Sequence, residues 1–184
     1  MRSQLEKRLV LALSATKNLN SHSLMPNLKL DAFDRKILEA LQRDGRLSNV
    51  QLADEIGLSA SPCLRRVRLL EEAGVIRGYQ ATLDRDEVGL GMMVFVGVKV
   101  ERHNDTEANA FREAVTALPE VISAFLVSGE SDFLLQVVVP DLRGYERFVT
   151  GSLLKLPGVR DIRSNFAIQT VKTPGALPLG HLPG

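Results

Sequence analysis

Two short stretches hold the residues whose types and spacing could do chemistry. The first is Ser61-Pro62-Cys63-Leu64-Arg65-Arg66-Val67-Arg68, which places three guanidinium groups within four positions. Arginine can make paired hydrogen bonds to guanine in the DNA major groove, and serine can hold a phosphate. At 100° per residue on a helix, Ser61, Arg65, Arg68 and Glu72 share one face, with Arg66 at its flank. Cys63, Val67 and Leu70 fall on the opposite side, toward a core. The alternative is an ordinary solvated face; the density of arginine at this place favours DNA. Arg66, nearer the core edge, suits a phosphate contact or an internal ion pair with Glu71 or Glu72. The second stretch is Gly129-Glu130-Ser131-Asp132. Gly129 leaves room for close backbone approach, and Asp132 could accept hydrogen bonds from a ligand ammonium. In the plainer alternative Gly129 supplies a hairpin bend and Asp132 caps its own backbone. The residues taken alone favour that plainer version. Catalysis finds no support, because Glu120, Glu130 and Asp132 have no histidine or nucleophile near them in sequence, and no glycine-rich phosphate loop occurs. The expectation is a protein that is not an enzyme.

Composition sets the frame for these stretches. The chain has 184 residues, 45% hydrophobic and 24% charged, which suits a soluble globular protein with a sizeable core. One cysteine, Cys63, excludes an internal disulfide framework and a zinc site built on several thiolates, and its neighbours make it a small buried hydrophobe. His22, His103 and His181 are too scattered for a histidine metal cluster. No apolar run approaches the ~20 residues of a spanning helix. The net charge of +1 averages two unlike halves: 13 basic and 9 acidic residues over 1–80, against 10 and 13 over 81–184. That asymmetry fits one segment meeting a polyanion and another with a different task.

The elements that must position these residues follow from pattern. Over residues 30–78 the chain reads as three helices. Asp31 caps the first, which carries Ile37, Leu38 and Leu41 on one face and stops at Gly45. Ser48-Asn49-Val50-Gln51 is a capping box for a second helix holding Leu52, Ala53 and Ile56 and ending at Gly57. Leu58-Ser59 starts the third almost at once, with Pro62 in its first turn. The result is a helix-turn-helix. Ala73–Ile76 then reads as a turn, and Tyr79–Leu83 as an extended wing or a linker. Residues 92–172 read as a strand (Met92–Val100), a helix (Thr106–Leu118), strands Val121–Ser128 and Phe133–Val139, a helix capped by Asp141, and a strand Val159–Val171. Leu118-Pro119-Glu120-Val121 and Leu156-Pro157-Gly158-Val159 echo each other where a helix gives way to a strand. Two such units in tandem form a ferredoxin-like βαββαβ domain whose open sheet face is most economically covered by self-association. The fold class is therefore α+β. Residues 1–27 read as a disordered or non-native leader with Met25 as a possible start, 81–91 as a linker, and 173–184 as a flexible tail.

In this order and spacing the fragments resemble the Lrp/AsnC family, the leucine-responsive regulatory protein group of prokaryotic transcription regulators. Carriers include Asp44-Gly45-Arg46-Leu47-Ser48, Gly57-Leu58-Ser59, Ser61–Val67, Gly74-Val75-Ile76 with Gly78-Tyr79, Val127–Leu135 and Leu156–Val159. The resemblance covers about residues 28–172. It implies an N-terminal winged helix-turn-helix and a C-terminal ferredoxin-like effector domain. It further implies dimers through the sheets, tetramers or octameric rings, and amino acids bound between subunits. DNA-contact candidates are Ser48, Ser59, Ser61, Pro62, Arg65, Arg66 and Arg68. By matching position Gly129, Glu130, Ser131 and Asp132 correspond to the family's effector loop, although Ser131 stands where an aromatic is usual. The expected function is sequence-specific regulation at a palindromic operator, modulated by an amino acid, with no cofactor and no metal, in the prokaryotic cytoplasm and associated with the nucleoid. Two rivals remain, a stand-alone amino-acid-binding or metabolic ferredoxin-like protein and a nucleoid-type DNA compactor.

Overall fold

The structure of the chain, a computed structural model, describes residues 29–101 and 105–184. The expectations made for the leader 1–27, Met25, His22 and His103 lie outside the described residues. Two compact units are present. One comprises the described residues up to Ala81 together with Pro174–Gly184, the other Thr82–Thr173.

The first unit is helical: α1 (Ala32–Arg43), α2 (Asn49–Ile56) and α3 (Ala60–Glu72). The Asp31 carboxylate accepts from Phe33 N and Asp34 N at 2.9 and 3.0 Å, while Asp34 accepts from Asp31 N at 3.1 Å, so α1 opens on a reciprocal capping box. Ser48 and Gln51 do the same for α2: Gln51 N donates to the Ser48 hydroxyl, and Ser48 N donates to the Gln51 side chain at 2.9 Å. Gly57 ends α2 at φ 75°, the left-handed region that favours glycine, and Leu58 N returns to Ala53 O at 2.9 Å. These caps permit the abrupt turn into α3. Ile37, Leu38, Ala40, Leu52, Ala53, Ile56, Cys63 and Leu70 are buried together beneath the three helices. After α3 the backbone N–H groups of Val75 and Ile76 both bond Leu70 O. Residues 77–84 then form no strand, and Tyr79 is tied back to the helical unit through its hydroxyl, which donates to the Glu71 carboxylate at 3.1 Å.

The tail departs from its composition. Proline and glycine suggest a flexible end, yet Leu179 and Leu182 pack against the helical core, and Gln42 hydrogen-bonds both main-chain groups of Leu177. Apolar side chains spaced between the prolines give the segment something to bury, which a count of prolines and glycines does not register.

The second unit holds β1 (Met92–Val100), α4 (Asp105–Thr116), β2 (Val121–Leu126), β3 (Phe133–Val139), α5 (Leu142–Gly151), a 3-10 turn (Leu153–Lys155) and β4 (Val159–Phe166). The sheet is antiparallel, in the order β2-β3-β1-β4. Strand alternation puts Val94, Val96 and Val98 with Leu135, Val137 and Val139 on one face. Phe111 and Val115 of α4 and Tyr145 and Phe148 of α5 pack onto that face and complete the core. The other face carries Phe95, Gly97 and Lys99 of β1, Leu134 and Gln136 of β3, Phe125 of β2 and Arg163 of β4, in cross-strand register. Phe95 and Phe125 remain 37% and 56% exposed there. β4 is shorter than its apolar pattern predicts. Val94 pairs with Phe166 and Ala167 N bonds Met93 O, after which β1 has almost no residues left to pair.

Candidate functional site

The helical unit presents α3. Burial of Cys63 and Leu70, with Val67 half-buried, turns Ser61, Pro62, Arg65 and Arg68 outward, all four exposed. Among the described residues neither Arg65 nor Arg68 forms an ion pair. Two exposed cations therefore stand about one helical turn apart on α3, neither of them paired with a carboxylate among the described residues. Ser59 sits at the N-cap without using its side chain to cap, so its hydroxyl is not committed to the helix. Ser48 is exposed, but its hydroxyl is engaged with Gln51.

Arg66 behaves differently from its neighbours and from its sequence assignment. Its two terminal nitrogens lie 2.8 Å from Asp34 Oδ1 and 2.8 Å from Asp31 Oδ2, and its guanidinium lies 5.5 Å from the Phe33 ring centre. The partners are not Glu71 or Glu72 but the capping carboxylates of α1, of which Asp34 is buried. This geometry fastens α3 to the start of α1, because a buried carboxylate needs a nearby cation. The Asp31 carboxyl is held below its usual range first by the Asp34 N–H and then by Arg66. The Arg66 guanidinium is correspondingly raised, first by its bond to Asp34.

One contributor was not legible in sequence. Asn49 donates from Nδ2 to Ala60 O at 2.8 Å, pinning the start of α2 to the first turn of α3. An asparagine at the first position of a helix gives no sign of which distant carbonyl it will meet.

The second unit holds a small polar cavity of about 130 Å³, lined by Gly97, Lys99, Glu130, Ser131, Asp161 and Arg163. Strand pairing builds it. Gly97 lies opposite Arg163 and Lys99 opposite Asp161 across β1 and β4, and the loop after β2 closes it from above. The Arg163 guanidinium pairs with the Glu130 carboxylate and lies 4.0 Å from Asp161. Ser131 rests over Gly97 so closely that a Cβ there would overlap the Ser131 hydroxyl.

Glu130 and Ser131 thus line the cavity, while Gly129 and Asp132 shape the loop. Gly129 has φ 130°, a conformation that side chains disfavour. Asp132 donates its N–H to Val98 O and accepts from Val100 N, each at 3.0 Å, and its carbonyl accepts from Val127 N at 2.9 Å. The carboxylate therefore ties the loop to β1 rather than capping its own backbone. Gly97, Lys99, Asp161 and Arg163 escaped sequence reasoning because antiparallel pairing brings together residues more than sixty positions apart.

Comparison with known proteins places both halves. Residues 30–77 match the family model for winged helix-turn-helix DNA-binding, and residues 93–177 match the Lrp/AsnC ligand binding domain. The chain is 45% identical over 149 residues to the leucine-responsive regulatory protein of Rhizobium meliloti, covering 81% of this chain and 96% of that one. It is also 45% identical over 151 residues to the Bkd operon transcriptional regulator of Pseudomonas aeruginosa, covering 82% and 99%. Among solved structures, a Neisseria meningitidis transcriptional regulator in complex with L-Met is 42% identical with a TM-score of 0.79, covering 83% of this chain and 98% of that one. Identity at this level along nearly the whole of each relative, with both domains in the same order, has one reading: the chain belongs to the Lrp/AsnC family of transcriptional regulators.

Proposed function

We propose that this regulator reads a palindromic operator with Ser61, Arg65 and Arg68 at base edges and with Ser48, Ser59 and Pro62 along the backbone, and that a free amino acid in the sheet-face cavity modulates it. The observation that carries the DNA half is the pair of exposed, unpartnered guanidinium groups on α3. Two such helices in a symmetric dimer meet half-sites about one turn of DNA apart. The effector half is supported by the L-Met complex of the Neisseria relative and by the cavity's own charges. Lys99 and Arg163 can hold a carboxylate, and Glu130 and Asp161 an ammonium, which suits a zwitterion. The cavity opens on the same sheet face as Phe95 and Phe125, so a second subunit covering that face would also close the site. On this reading the protein works as a dimer, tetramer or octamer on chromosomal DNA in the cytoplasm.

The direct test is binding to a site selected from random duplex DNA. Arg65→Ala and Arg68→Ala each weaken the selected site by ~1–3 kcal/mol while leaving random DNA less affected. Equal losses on both DNAs would leave a non-specific compactor instead. Calorimetric titration of the common amino acids, repeated with Arg163→Ala, tests the effector half. Identical heats from both proteins exclude the cavity as the site.

A further inference from the structure

The segment that composition marks as a loose end is built as a ligand for the helical unit. Its leucines alternate with Pro174, Pro178 and Pro183 and with glycines, so the backbone is stiffened and cannot continue β4. Three separate anchors hold it to one side of α1. Gln42 acts as a two-pronged clamp: Leu177 N donates to Gln42 Oε1 at 2.6 Å, and Gln42 Nε2 donates to Leu177 O at 3.3 Å. Arg35, seven residues earlier and so on the same helix face, donates to Leu182 O at 3.2 Å. Between these polar anchors Leu179 and Leu182 sit half-buried against the helical core, and a turn bond from Leu182 N to Leu179 O at 3.0 Å folds the segment down. Docked in this way, the tail forms one wall of a cavity of about 290 Å³, with Leu177 and Leu179 facing Leu38, Leu41, Val75, Ile76 and Tyr79 across it. Main-chain groups of the tail thus find side-chain partners, and Leu179 and Leu182 find an apolar bed, the two requirements of a docked peptide.

The location gives this docking a consequence. The chain leaves the helical unit at Ala81 and rejoins it at Pro174, so the ligand-binding unit between is inserted in the helical unit by chain connectivity. The cavity is walled by α1, the segment after α3 and the tail itself, and Arg65 and Arg68 are not among its lining residues. We propose that Pro174–Gly184 is an intramolecular strap that docks along α1, walls this cavity and gives the DNA-binding unit a second tether to the ligand-binding unit. A unit held at two points has fewer arrangements than one on a single linker, so displacement at the end of the ligand-binding unit reaches the DNA-binding unit through the strap as well as through the linker. The inference rests on the tail's contacts with the helical unit and on the connectivity of the two units, and does not depend on the assignment of the operator or the effector.

Hydrogen exchange tests it on the full chain, on a chain ending at Thr173, and on Gln42→Ala and Leu179→Asp in the full chain. Amides of α1 from Arg35 to Gln42 and of residues 75–79 exchange several-fold faster in all three variants, while β1 and β3 amides are unchanged. If the shortened chain fails to fold, the two point variants carry the test. Unchanged exchange across α1 and 75–79 in the folded variants overturns the strap. Protection in the full chain that disappears on dilution overturns it too, because the segment would then come from another copy.

Discussion

Arg65, Arg66 and Arg68 occupy the same turn and a half of α3, yet their surroundings divide them. Arg65 and Arg68 look outward without a carboxylate partner, whereas Arg66 reaches Asp31 and Asp34 at 2.8 Å each. Removing Arg66 leaves the buried Asp34 charge without its cation, a loss that acts on folding. Arg66→Ala is therefore expected to lower the melting temperature of the helical unit, while Arg65→Ala leaves it unchanged and weakens operator binding. Thermal melts beside DNA titrations distinguish the two, and an Arg66→Ala protein of full stability would contradict the ion-pair role. The same network sets a pH dependence. The Asp31 carboxyl titrates below its usual value in the folded chain, so its contribution is complete above the ordinary carboxylate range and fades as pH falls through the lowered value. Because Asp31 is about half exposed, the effect is small. Melts of the parent and of Asp31→Asn should differ at neutral pH and converge as the pH falls below the ordinary carboxylate range. A gap that stays constant over that range removes Asp31 from the pH response.

At the scale of elements, the register of β1 against β4 decides what the cavity contains. Gly97 and Arg163 are partners, and the Ser131 hydroxyl fills the space where a Cβ at 97 would stand. Gly97→Ala is expected to push the loop 128–132 away from the sheet and to lower amino-acid affinity about tenfold, roughly the 1.4 kcal/mol scale of one displaced contact. The double variant with Ser131→Gly clears the overlap and recovers much of that loss. Calorimetry on the three proteins reads this directly, and additive losses in the double variant would show that the two positions do not meet. The pairing also explains how far the elements could be read in advance. Caps at Asp31 and Ser48, the Gly57 turn and strand Phe133–Val139 follow from residues within a few positions of one another. The shortened β4 and the cavity lining follow from a partner strand, and local sequence carries no record of where that partner ends.

For the whole molecule, the open sheet face is the feature with the widest reach. Its two exposed phenylalanines, Phe95 and Phe125, share that face with Leu134 and with the cavity, so on the proposed function an effector and a partner subunit would meet on common ground. A charge placed there opposes desolvation of the interface. Phe125→Asp is expected to shift sedimentation toward monomer, with a loss of cooperative operator binding and with the helical unit intact. An unchanged sedimentation profile would move the subunit interface elsewhere.

The sequence by itself determined the α+β class, the two-part organisation, the helix-turn-helix with its arginine-bearing third helix, and the glycine-led loop at 129–132. Each rests on short-range regularities: capping pairs, the 100° period that separates Cys63 and Leu70 from Arg65 and Arg68, and a glycine where φ is positive. Tertiary structure alone decided which arginine is spent on an internal ion pair, which residues wall the cavity opposite the loop, and where the tail lies. Those outcomes depend on contacts between residues far apart in the chain, such as Arg66 with Asp34, Gly97 with Arg163 and Gln42 with Leu177. Such contacts are selected by the burial and pairing of the whole chain, a criterion that no local pattern contains.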